Sequence, residues 1–211
     1  MGLDWNPGPK AKSGCEAEFE KLWRKLRSPR CWWRAAKMRR FDEITINAFD
    51  TLNAPTVGVD ASLNDWVHQQ FDKRVDKTLT EEQFFSRMKG FRVLALVLPC
   101  DGLPRYTNGS PGGYVEAYAY RGKFLEDCTD IIGQDALNGA FESKLPSDTV
   151  AYGRDLLQRA TVFANARNID LSTVHLSEDP DSTEFHLDAV VSAGRWCIFW
   201  GERGHWLEAY F

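Results

Sequence analysis

The chain closes on "RWCIFWGERGHWLEAYF", residues 195–211, where His205 follows a Gly-Glu-Arg-Gly turn between two aromatic runs. An imidazole at the edge of an apolar face titrates near neutral pH and can move protons, which makes His205 the first candidate acid or base. Its candidate partner is Asp101, placed where the apolar run "FRVLALVLP" gives way to a loop, so that the carboxylate would orient the ring or share its proton. Cys100 stands beside it and would act as a nucleophile only with a histidine base in reach, His205 or His186. Buried cysteine is commonly inert, and nothing in the spacing demands the reactive reading.

A second group flanks the thirteen-residue loop "DGLPRYTNGSPGG" (101–113): Arg105, Tyr106, Tyr114, Glu116, Tyr118 and Arg121. Two arginines among several phenols would grip an anionic or aromatic ligand through charge-assisted hydrogen bonds and stacking. A wet sheet face with solvent-facing tyrosines accounts for the same residues equally well. The loop's glycines fit neither a P-loop nor a dinucleotide fingerprint. The four histidines include no i, i+4 pair, and the five cysteines include no C-x-x-C, so the sequence predicts no metal site and no cofactor.

Charge is distributed unevenly. Of 26 basic residues eleven precede position 41, against four of the 30 acidic ones, so residues 1–40 carry +7 and residues 41–211 carry −11. From Lys21 to Arg40 there are nine basic residues and no acidic one, interleaved with Trp23, Trp32 and Trp33. Basic faces with aromatics suit nucleic acid, but the acidic remainder repels a polyanion. Docking on an acidic protein, or on the chain's own acidic body, ranks above nucleic acid.

These residues need elements to position them. Phe19, Leu22, Trp23 and Leu26 recur at helical spacing behind Ser13 and Glu16, a capping-box pair, and predict a helix over 14–27. "SPRCWWRAAKMRRF" predicts a second, with Trp32, Trp33, Ala36 and Met38 inward. Further helices are predicted from Ser62 (Leu63, Val67, Phe71, Val75), from Thr80 with Gln83, through Leu125 to a stop at Gly133, over 148–167, and over 182–193 to a stop at Gly194. Strands are predicted at 92–98, 114–120, 195–200 and 205–211, the last two forming a hairpin that pairs Trp200 with His205 and bends at Gly201 and Gly204.

The sequence therefore predicts one α+β domain over 1–211: a small, mostly antiparallel sheet packed by helices, with a basic helical arm (1–40) on an acidic body (41–211). The longest apolar run is six residues, too short to span a bilayer, and the start has no apolar signal segment, which points to a cytoplasmic protein with no membrane partner. The function expected first is non-catalytic partner binding, of the bacterial inhibitor or immunity type. The alternative is a small enzyme or ligand-binding protein with an anionic or aromatic ligand under the 101–113 loop.

Overall fold

The computed structural model describes residues 2–28, 33–52, 55–74, 78–91, 119–174 and 179–211. They form an α+β fold in two compact units, Met1–Ala48 with Gly102–Phe211, and Phe49–Asp101. The basic arm belongs to the larger unit, and each unit is described by itself. No helix among the described residues is long and apolar enough to cross a membrane.

In the larger unit the chain starts as a strand, β1 (Asp4–Pro7), whose alternation turns Leu3, Trp5 and Pro7 inward. β1 pairs antiparallel with β4 (Leu207–Tyr210), with Trp5 opposite Ala209 and Pro7 opposite Leu207. Tyr120, the described end of the predicted 114–120 strand, bridges the other edge of Trp5. The predicted strand at 92–98 and most of that at 114–120 lie outside the described residues. A second pair, β2 (Lys10–Ala11) and β3 (Thr45–Ile46), brackets α1 (Glu16–Leu26) and α2 (Arg34–Glu43).

The scaffold behind β1 is a pair of long helices, α6 (Pro146–Arg167) and α7 (Thr183–Glu202). α6 has Pro146 at its first position, where a missing N–H is harmless, and Ser182 Oγ caps α7 by accepting from Phe185 N at 3.1 Å. The C-terminal strand pair exists, but its second strand is β1. Residues 195–202 are helical, so the predicted hairpin does not form there.

Gly194 and Gly201, predicted to stop a helix and to bend a hairpin, lie inside α7 at its crossing with α6. A Cβ on Gly201 would stand 2.8 Å from the Pro146 carbonyl oxygen, and one on Gly194 would stand 2.9 Å from that of Gly153. Hydrogen atoms in those places let the two backbones touch.

Between the helix pair and β1 lies an aromatic core. Trp5 packs against Tyr120, Tyr152 and Trp196 with ring centroids 5.1, 5.9 and 5.8 Å away. Three polar tips find backbone acceptors: Trp5 Nε1 donates to Ala140 O, Tyr120 Oη to Ala189 O and Tyr152 Oη to Ala136 O, all at 2.8 Å. These three rings are buried with their N–H and O–H groups paired. Leading into this core, Gly122–Cys128 is a 3₁₀ segment and α5 (Thr129–Ala140) follows. Gly133 kinks α5 with φ 76° instead of ending it, and Arg159 spans the kink, donating to Ile132 O and holding Asp135 with two bonds.

The smaller unit holds α3 (Asn64–Asp72) and α4 (Glu81–Met88) over a core of Val57, Leu63 and Val67. The capping box at Thr80 and Gln83 forms in both directions, at 3.0 and 3.3 Å. The one predicted at Ser13 does not. Cys15 occupies the N-cap position of α1, and Glu16 accepts instead from Gly14 N at 3.1 Å.

Candidate functional site

His205 sits at the end of α7, in a turn that explains the "GERGH" sequence. Gly204 takes φ +83°, His205 N donates back to Trp200 O at 3.0 Å and Gly204 N to Gly201 O at 3.0 Å. That is the Schellman closure, which needs a left-handed residue after the helix. His205 then packs edge-on against Trp200, centroids 5.2 Å apart, and its Nδ1 donates to Gly8 O at 2.9 Å. Gly8 N in turn donates to Trp206 O at 2.8 Å. The imidazole thus ties the end of α7 to the turn after β1.

The ring is fully buried, and its pKa is lowered to about 4, chiefly by desolvation, with Lys10 and Arg203 adding repulsion. At neutral pH it is an uncharged structural donor. The predicted partner Asp101, together with Cys100, Arg105, Tyr106, Tyr114, Glu116 and Tyr118, lies outside the described residues. Arg121 is described: it precedes the 3₁₀ segment and its Nε stands 3.7 Å from Asp4 Oδ1.

Cys197, Cys128 and Tyr152 are also held in their neutral forms. Burial raises the Cys197 thiol strongly and pushes that of Cys128 up to about 12. Burial likewise raises the Tyr152 phenol, whose proton is committed to Ala136 O. Lys144 lies over the Tyr152 ring with its ammonium 4.7 Å from the centroid, and Nζ bonds the Gly139 and Glu142 carbonyls. Burial lowers its pKa, and its bonds place it as a cap on the end of α5. Among the described residues no three His, Cys, Asp or Glu side chains are grouped to hold a metal ion.

The arm presents a different surface. Phe41 stacks on Phe19 at 5.3 Å, and Arg40 grips Glu18 with two bonds of 2.8 and 2.9 Å, fixing α2 on α1. This fit turns Phe41 inward and leaves Trp33, Ala36 and Met38, predicted to be buried, facing water. Phe41 and Ile44, at the end of α2, are its residues in the core with Phe19 and Leu26, while Trp33 precedes the helix in a left-handed conformation that takes it off the helical wheel.

Trp33 is 82% exposed and adopts the left-handed conformation, φ 62°, at the N-cap of α2. Arg34 and Arg39 are exposed beside it and have no ion-pair partner among the described residues.

One cationic contact was not legible in the sequence. Arg27 lies over both Trp23 and Trp206, its Cζ 4.6 and 4.3 Å from the ring centroids, and closes the arm onto the last strand. The i, i+4 spacing of Trp23 and Arg27 was visible, but Trp206 comes from the other end of the chain. No protein-family model matches this sequence, and comparison with curated proteins and with solved structures finds no match to it.

Proposed function

We propose that this is a non-catalytic binding protein that engages an acidic protein partner through the exposed face of α2, in the manner of an inhibitor or immunity protein. The observation that carries the reading is Trp33. A large aromatic stands in water, in a backbone conformation that costs a β-carbon residue on the order of 1 kcal/mol, next to a run with four basic residues and no acidic one from Arg34 to Phe41. Tryptophan and arginine dominate interface energetics because they bury much area and make directed contacts once desolvated. The neutral, buried state of His205, Cys197 and Cys128 supports scaffolding over acid–base or nucleophilic work for those three groups.

The test is capture from the lysate of the source cells on immobilised wild type and on the variant Trp33→Ala/Arg34→Glu/Arg39→Glu, at low and at high salt. An acidic protein retained by the wild type at low salt, released at high salt and retained about tenfold less by the variant is the expected result. Equal retention by both baits, or no salt-sensitive partner, overturns the reading.

A further inference from the structure

Away from α2, a cleft of about 570 Å³ opens where β2, the start of α1, the start of α6 and the turn after α7 converge. Ala11, Phe19, Ile46 and Pro146 contribute apolar lining. Two cations, Lys10 and Arg203, line it together with two carboxylates, Glu16 and Glu20, one turn apart on α1. Ser13 and Ser147 add hydroxyls able to donate and accept. The formal charge of the lining sums to zero, so a polyanion meets two carboxylates and a polycation meets Lys10 and Arg203.

A ligand that satisfies the whole cleft carries both signs, separated by an apolar group. Arg203 is already held in place, with NH1 bonded to Phe199 O at 3.1 Å and Cζ 3.6 Å from the Phe199 centroid, so little rotamer freedom is lost when it meets an anion. Among the described residues Glu20 pairs with the exposed Arg24, at 3.9 Å, a contact weak enough to exchange. The volume lies within the range, about 300–1,000 Å³, of pockets that enclose drug-sized ligands, enough for a few residues of chain.

We propose that this cleft binds a short peptide segment in which an apolar side chain stands between a basic residue, held by Glu16 and Glu20, and an acidic one, held by Lys10 and Arg203. The proposal stands on the cleft alone and is independent of the α2 reading.

The experiment is an amide-resolved NMR titration of the full chain with the tripeptide Lys-Leu-Glu, acetylated and amidated so that only its side chains are charged. Saturable shifts are expected at Ala11, Ser147 and Gly204. Replacing the peptide's Lys or its Glu with Gln should each weaken binding about threefold, the weight of one partly exposed charge pair. Arg203→Ala should reduce the preference for Glu over Gln, with Lys10 keeping the remainder, and Glu20→Gln should reduce the preference for Lys over Gln, with Glu16 keeping the remainder. Both side chains reach solvent, and unchanged thermal unfolding would show that each variant folds. Absence of saturable shifts at those three amides, or equal binding of all three peptides, overturns the proposal, whatever is found for α2.

Discussion

Residues 195–206 and residues 33–41 are written in much the same alphabet, tryptophan, arginine and small or apolar residues at helical spacing, yet they end in opposite environments. Trp196, Trp200 and Trp206 are buried, and Trp33 and Met38 stand in water. What separates them is what each helix can be pressed against. α7 has Gly194 and Gly201 on the side facing α6, so the backbones meet and the aromatic side chains fill the space toward β1. α2 has Phe41 and Ile44 as its anchors, seated on α1, and the two alanines ahead of them give no ring-sized volume to pack. Tryptophan content alone therefore does not predict where the core lies. A close-approach point on the opposing helix does.

The widest contrast comes from the same substitution made in both places. Trp196→Ala should destabilise the larger unit by about 3–5 kcal/mol, because a fully buried indole in contact with Trp5 and Trp200 leaves a cavity that a rigid helix pair cannot close. Trp33→Ala should change stability by no more than about 0.5 kcal/mol, as befits an exposed side chain. Urea unfolding followed by circular dichroism measures both. Similar losses in the two variants would mean that Trp33 is part of the core after all.

How much of this was legible follows from the same contrast. Helices α1 and α4 could be read because their signals lie within one segment: the α1 stripe holds, with Phe19 and Leu26 buried although the Ser13 box does not form, and Thr80 with Gln83 forms its box in α4. The end of α7 was misread because "RWCIFW" is apolar at almost every position and so fits period 2 as well as 3.6, leaving Gly194 and Gly201 to decide. Glycine reads locally as a breaker. Its use as a contact point is set by α6, thirty and more residues away. β1 was hidden for a related reason: Leu3, Trp5 and Pro7 alternate, but its partner β4 is at the far end of the chain. For the candidate site, the identity of His205 was visible and its environment was not, since Gly8 and Lys10 approach it only in the fold.

That environment gives the second prediction. The folded pKa of His205 lies below its ordinary value of 6.5, at about 4, so between those values the unfolded chain binds the proton and the folded chain does not. The stability that His205 contributes is thus fully present above pH 6.5 and is lost as pH falls toward 4, by up to about 3 kcal/mol at 1.36 kcal/mol per unit. Lys10 and Arg203 face the ring, and their repulsion acts against the imidazolium. Unfolding free energies of the wild type and of His205→Gln, measured from pH 7 to 4.5, should converge as pH falls. Parallel curves would place a water-exposed imidazole at position 205.

The third prediction is the most specific to the arm. Trp33 holds φ 62° at the start of α2, a conformation that glycine adopts without strain and tryptophan does not. Trp33→Gly removes that strain, but it also frees the unfolded backbone, and the two changes act in opposite directions. No side-chain packing weighs against the substitution, since the ring lies in water. The net result should be a rise in unfolding free energy of up to about 1 kcal/mol, alongside loss of the salt-sensitive partner. A residue that destabilises its own fold and sits on the surface is held there by something other than folding, and a more stable variant that no longer binds would be the signature of an interface anchor. A variant less stable than wild type would show instead that the indole supports the start of α2, and would remove the strain from the argument for a binding face.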